Sequence, residues 1–453
     1  MGDILTELIL TATLAQDAHI AVHNLHTSSH VATFRGNTSG HHSLFVTDDH
    51  VISAQQDKAL LNVYRWNKEA IDQKIILPEK LSVLAVSHNW TWIAGGSASG
   101  KIYLWENGSG NLMFVRDAHY QPVSKLVFSS DDALLFSGSQ DSSINAWWID
   151  QLVDLSSDQD EIRPATSWTA HNLPITDIKI GAGPYVSARS FTASVDQTVK
   201  VNLSLKLVNL TLFQVWELAD FTLLTTIVLP EIPTCLDIDP AERAIYAGCR
   251  DGVIRQIDLY HRSRSDGLAS CHAVGGNGSI VSGAQLSIRE FKAHSSEITS
   301  ICLSFDATLL ASGDHDGQVY VWDVPTRQVV RKLKSHKGPV TFLSVFLQTE
   351  QMVNCKGENQ MQPLKRVQNE RDRVEHDVII NLTRTESGSS DEDCVEMAER
   401  AVSEFLSPTS ESALKAQIDS LQADLDKVHG YYEDLRGIHE NLWKEHVELQ
   451  LKQ

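Results

Sequence analysis

Three stretches of the chain set a histidine, a hydroxyl and an aspartate at a recurring spacing. His119, Ser137 and Asp141 form one set, His171, Thr192 and Asp196 a second, His294, Ser312 and Asp316 a third. A serine beside a histidine that a carboxylate holds in place is the arrangement that activates a nucleophile for acyl transfer. The repetition argues against that chemistry here, because an active site normally occurs once. A tryptophan also follows each set, at Trp147, Trp216 and Trp322. The recurring unit reads as a structural network: the carboxylate accepts from the histidine and the turn backbone, and the hydroxyl bridges to the indole N–H. No nucleophile motif, metal cluster or nucleotide loop accompanies the sets. The glycine run Gly275, Gly276 and Gly278 lacks the Lys-Ser/Thr of a phosphate loop. The chain is therefore expected to be no enzyme, with no catalytic, cofactor-binding or metal-binding residues.

The elements that position these residues repeat with them. An apolar strand is followed by Ser-Gly-Ser-x-Asp or a relative, then by alternating apolar residues that end in Trp. LLFSGSQDSSINAWW and LLASGDHDGQVYVWD are the clearest copies, and GGSASGKIYLW, with Ser99 in the Asp place, is a third. Weaker copies centre on Asp17, Asp57 and Asp251. Alternation such as Ile102, Leu104 or Val319, Val321 is strand periodicity, and the Gly/Ser/Asp clusters are tight turns. Four short strands per unit describe a propeller blade. The predicted fold is all-β, a seven-bladed β-propeller over residues 1–355. Six blades begin near His41, Leu81, Pro122, Pro174, Pro233 and Glu297. A composite blade, counted as blade one, joins 5–35 to 339–347 and so removes the open sheet edges. The polar residues of the repeat resemble the WD-repeat structural tetrad, a likeness specific to that superfamily and silent on function.

Blade five breaks the pattern. The sixth residue after Asp196 is Asn202, and Trp216 comes 14 residues late. Removing 201–214 joins TASVDQTVK to VWELADF and restores the repeat. That insert begins Val-Asn and ends in Gln, whose codons can supply intron borders, so it reads as a retained short intron or as a real strand extension. Two connections are also long: 151–164 is acidic, and 261–285 is rich in Gly and Ser and opens with Arg262 and Arg264.

The chain has 453 residues, 42% of them hydrophobic, and a net charge of −20. Residues 357–453 hold 21 acidic and 11 basic residues, half of that charge. The negative balance argues against general nucleic-acid or anionic-membrane binding by non-specific electrostatics. Six cysteines (Cys235, Cys249, Cys271, Cys302, Cys355, Cys394) lack any C-x-x-C pair and read as reduced intracellular thiols. No apolar run is long enough to span a bilayer, and the N-terminus lacks the basic region of a secretory signal. Residues 356–409 read as an acidic, largely disordered linker, in which Ser389 and Ser390 before three acids look like an acidophilic-kinase site. Residues 410–453 turn periodic. Leu414, Ile418, Leu421, Leu425, Val428, Tyr432, Leu435, His439, Leu442, His446 and Leu449 alternate four- and three-residue steps, the stripe of a coiled-coil α-helix. Such a stripe must be covered, which points to homo- or hetero-oligomerisation.

Three stretches narrow the family. KSHKGPVT starts at Lys334 where the ring closes, AHYQPVSKLVFS starts at Ala118, and Trp147-Trp148 runs into Ile149-Asp150-Gln151-Leu152. With the ring-then-coil layout, these resemble the fungal pre-rRNA-processing WD-repeat proteins that mature the large ribosomal subunit, whose animal counterpart is WD repeat-containing protein 18. The resemblance implies a scaffold subunit in the nucleus (nucleoplasm or nucleolus), in a pre-60S maturation complex with a helical-repeat scaffold partner. It implies a part in removing internal transcribed spacer two, and indirect contact with an AAA-type ATPase and the pre-ribosome. A role in DNA replication has also been attached to that family. The competing reading is a WD-repeat substrate adaptor of a ubiquitin ligase, although Trp322-Asp323-Val324-Pro325 lacks the Arg that often ends a repeat in that class.

Overall fold

The computed structural model describes residues 6–367, apart from 16–18, 155–161, 170, 184–187, 204–221, 266–267, 274–278, 283–287, 334–335, 350–351 and 353–360. Within them β-branched and aromatic residues alternate with polar ones in short strands separated by Gly, Ser and Asp turns, and these strands pair into seven blade sheets. Six sheets have four strands and one has five. The expected blade starts match the innermost strands, for example Leu81–Val86, Val123–Phe128, Ile175–Ile180 and Ile298–Leu303. Each innermost strand packs on the next, and the last, Val340–Leu347, packs on the first, Ser39–Val46, so the blades form a closed ring.

Blade one is composite, as expected. Its innermost strand is Val340–Leu347, paired antiparallel with Glu7–Thr13 from Glu7 against Leu347 to Thr13 against Val340. His19–Asn24 and His30–Arg35 complete it. All seven residues of Glu7–Thr13 are buried, which the apolar run LILTA favours. The hydrophobic core is divided among the spaces between blades. Fully buried Trp105, Trp322, Phe114, Phe291 and Phe191 fill those spaces.

Three features depart from the sequence reading. The Gly/Ser-rich connection between the third and fourth strands of blade six forms the hairpin Tyr260–Ser265 with Leu268–Ala273, and then sends Ser279–Ser282 to pair in parallel with Thr222–Val228 as a fifth strand of blade five. After Trp148 the chain turns through a short helix, Ile149–Val153, whose Ile149 and Leu152 are buried against Trp147 and Phe128. The linker expectation for 356–409 needs correcting at 361–367, because Met361 and Leu364 are buried in the core cluster of blades two and three. Two apolar residues three positions apart, in an otherwise polar stretch, are enough to seat it. The rest of the linker, with Ser389 and Ser390, and the heptad stripe from Leu414 to Leu449 lie outside the described residues.

Candidate functional site

The His–hydroxyl–Asp sets sit between the first, second and third strands of their blades. In blade four His119 stands just before the bend that leads into the first strand, Ser137 lies on Leu134–Ser139 and Trp147 on Ile144–Trp148. His119 Nε2 is 2.9 Å from Ser137 Oγ, and His119 Nδ1 is 3.3 Å from Asp141. The Trp147 indole donates to the same Ser137 oxygen at 3.2 Å. Asp141 also accepts from the Tyr120 and Ser143 N–H groups. A carboxylate can only accept, so Nδ1 carries the imidazole hydrogen and Nε2 accepts from the serine hydroxyl. Burial holds the His119 imidazole below its usual range and thus neutral, despite Asp141 beside it. Burial works against the Asp141 charge, but the bonds from Ser143 and Tyr120 outweigh it and lower its carboxyl.

This order of bonds is that of a hydrolytic triad, and two facts disarm it. Ser137 and Ser312 are fully buried, so no substrate reaches either oxygen. Each oxygen also accepts an indole hydrogen, which competes for the electron pair a nucleophile would use.

Blade five repeats the network with a threonine. His171 Nε2 lies 2.9 Å from Thr192 and Nδ1 lies 3.0 Å from Asp196. The register places Asn202 opposite Ser190, the position that Trp147 and Trp322 take opposite Leu135 and Leu310. Trp216 and the insert beyond Leu203 lie outside the described residues.

Blade seven corrects one assignment. His294 Nε2 is 2.6 Å from Ser312, and Trp322 donates to Ser312 at 2.8 Å. The carboxylate on Nδ1, at 2.9 Å, is Asp314 and not Asp316. Asp314 is fully buried and takes the Gln318 N–H as well, whereas Asp316 is exposed in the turn. Two aspartates flank His315, and the one nearer Ser312 is the one within reach of the imidazole.

Sequence reasoning missed the variants in the other blades. In blade one the histidine and the hydroxyl come from opposite ends of the chain, with His336 Nε2 3.0 Å from Thr11. The signal was available, since KSHKGPVT aligns with AHYQPVS at that histidine. Blade two uses amides: Asn37 accepts from Ser53 and Gln55, and Tyr64 holds the tryptophan place. Blade six pairs Arg255 with both oxygens of Asp251. In blade three Glu79 accepts from Ser99 and Tyr103, each at 3.0 Å. An Asp-centred pattern marks Asp251 but not its Arg255 partner, and it passes over Asn37 and Glu79, where the residue type itself changes.

Comparison with known proteins agrees with this repeat count in part and adds a family. The WD domain, G-beta repeat matches residues 110–147 and 285–323, each running from the outermost strand of one blade through the third strand of the next, blades four and seven. The chain is 39% identical over 388 residues to pre-rRNA-processing protein IPI3 of Yarrowia lipolytica, covering 82% of this chain and 85% of that protein. It is 36% identical to crb3/ipi3 of Schizosaccharomyces pombe over 74% of this chain and 77% of that protein. WD repeat-containing protein 18 of Rattus norvegicus is 32% identical over 74% of this chain and 71% of its own length. The chain belongs to the IPI3 and WD repeat-containing protein 18 family.

In this IPI3-family ring a second polar system runs between blades along the innermost strands. Lys125 of blade four pairs with Asp177 of blade five at 3.0 Å, and Lys179 of blade five pairs with Asp237 of blade six at 3.0 Å. The spare oxygen of each aspartate accepts a main-chain N–H of the following blade, Leu236 on Asp177 and Leu303 on Asp237. His42 of blade two reaches Lys125 at 2.8 Å. Burial, with Lys125 next, pushes His42 down to about 3. Burial works against the Asp177 charge, but Lys125 beside it, with Lys179, outweighs burial and holds the carboxyl at about 2. The three side chains are those of an interblade clamp. Among the described residues no group of three or more His, Cys, Asp or Glu is arranged to hold a metal ion.

Proposed function

We propose that the protein is a non-enzymatic scaffold subunit of a nuclear complex that processes pre-rRNA and matures the large ribosomal subunit. The observation that carries the scaffold part is the closed hydrogen-bond circuit of the tetrads. Ser137, Thr192 and Ser312 are buried and engaged, so the groups best suited to catalysis are spent on holding blades together. What remains for function is the ring's outer surface and the segment that follows it. The process is taken from the relatives named pre-rRNA-processing protein. Those names support this reading over the ligase-adaptor alternative. The finer reading includes removal of internal transcribed spacer two, a helical-repeat partner, and oligomerisation or partner docking through residues 410–453.

The test is affinity purification of the tagged chain from nuclear extract with mass spectrometry, beside depletion of the protein and hybridisation of pre-rRNA. Ribosome-assembly factors in the eluate and accumulated precursors that retain spacer two support the reading. An eluate of ubiquitin-ligase subunits with normal precursors rejects it.

A further inference from the structure

Trp105 is fully buried at the third-strand place that Trp147 and Trp322 hold in their blades, but no tetrad hydroxyl meets it. The residue ten positions before it is Gly95, where blades four and seven carry Ser137 and Ser312. A Cβ at Gly95 would lie 2.6 Å from the Leu81 side chain, so the site cannot take a serine without repacking. The indole instead donates to the main-chain carbonyl of Lys365 at 3.0 Å, 260 residues further along the chain. The Lys365 N–H returns a bond to the Gly110 carbonyl at 2.8 Å. Met361 and Leu364 are buried in the cluster that holds Trp105, Leu112 and Leu77, while Gln362, Pro363, Lys365 and Arg366 are exposed. Gly110 sits at φ +70°, and a Cβ on it would stand 2.4 Å from the Pro363 carbonyl oxygen. The ring thus lacks a hydroxyl at one point and a side chain at another, and the same short segment fills both absences.

The contacts are those of peptide recognition: two hydrogen bonds to the main chain of Lys365 fix the segment's course, and its buried Met361 and Leu364 side chains anchor it. A segment held this way is separable from the blade, because the four strands of blade three are complete without it. We propose that blade three carries a groove for a short linear peptide with two apolar residues three apart, and that residues 361–366 of this chain are its resident occupant. The segment binds reversibly and caps the Trp105 indole that the tetrad leaves open. The proposal is independent of the pre-rRNA reading.

The experiment uses the full-length chain with Met361→Asp and Leu364→Asp combined, which empties the groove, and a fluorescein-labelled peptide of residues 357–370 as the probe. Anisotropy should show saturable binding to the double variant and at least about tenfold weaker binding to the wild type, whose own segment competes. Adding Gly110→Val should abolish the binding. A double variant that keeps the wild-type melting curve yet binds no peptide overturns the proposal, since the segment would then be a fixed part of the fold. If the double variant does not fold, Leu364→Ala decides. Trypsin should cut it after Lys365 and Arg366 about tenfold faster than the wild type, with other sites unchanged, because cleavage follows the open population. Equal rates at those two sites overturn the proposal as well.

Discussion

The Nδ1 atom of His294 lies 2.9 Å from a carboxylate oxygen of Asp314, and neither side chain is exposed. Two residues on, Asp316 occupies the position that the repeat pattern selects and is exposed in the turn. Asp314→Ala strips a buried imidazole N–H and the Gln318 N–H of their acceptor, at a cost of about 1–3 kcal/mol. Asp316→Ala should stay within about 0.5 kcal/mol, as exposed substitutions do. Urea denaturation of the two variants checks the order. Equal losses would restore Asp316 to the network.

The buried hydroxyls give a chemical test. A fluorophosphonate probe labels activated serines, and here it should leave Ser137 and Ser312 unmodified. Ser137→Ala should cost about 1–3 kcal/mol by orphaning the Trp147 indole and the His119 ring. Labelling of either serine in folded protein, read by peptide mass spectrometry, would falsify the structural assignment.

The clamp of His42, Lys125 and Asp177 sets an acid sensitivity. The unfolded His42 takes a proton below about pH 6.5, whereas the folded one resists it down to about 3. The unfolded state therefore binds more protons in that window, and stability falls as pH drops from 6.5 towards 3. Asp177 adds a second loss at lower pH, as its carboxyl, ordinarily 3.8 and held here at about 2, is forced to protonate. His42→Gln should flatten the slope of stability against pH between 6.5 and 4 without removing the loss below 4. Chemical denaturation at half-unit intervals of pH measures both.

The heptad stripe is tested by itself. Leu421, Leu425 and Leu435 share a stripe, and each truncation to Ala should cost about 2–5 kcal/mol of helix pairing. Deleting 410–453 should leave the ring's melting curve nearly unchanged, since Val340–Leu347 has already closed it. His439 and His446 at core-type positions should weaken pairing as pH falls through about 6.5, because protonation buries charge. Analytical ultracentrifugation of the isolated 410–453 peptide, alone and with a candidate partner, reads the outcome. A peptide that stays monomeric throughout, while its deletion destabilises the ring, assigns the stripe to intramolecular docking.

The insert in blade five is decided outside the protein. Sequencing of the spliced transcript should lack the 42 nucleotides that encode the 14 residues 201–214. Their presence in mature message makes Asn202 the true occupant of the tryptophan place.

Blade number, blade starts and the composite closure were legible because each rests on a period, and a period survives changes in single residues. His119, Ser137 and Trp147 were legible for the same reason, since turn length fixes their spacing. Asp314 was not, because two aspartates flank His315 in the sequence and only the backbone path brings one of them to the imidazole. Asn37, Glu79 and Arg255 escaped because an amide, a glutamate or a guanidinium can satisfy the same buried groups without the same letter. The fifth strand at Ser279–Ser282 and the docked Met361 and Leu364 escaped because their partners are distant in sequence. Thr222–Val228 and Trp105 offer edges and pockets that no local pattern announces.

The pairing of Glu7–Thr13 with Val340–Leu347 has a consequence for how the molecule comes into being. Translation delivers Glu7–Thr13, the second strand of blade one, more than three hundred residues ahead of Val340–Leu347, its first. Throughout synthesis the nascent chain carries an unpaired edge along Glu7–Thr13, and six blades accumulate on an arc that nothing yet shuts. Such a contact is among the most non-local a chain of this length can make, and closing it is slow. Until residue 347 emerges, the apolar run LILTA stands open to whatever strand approaches it.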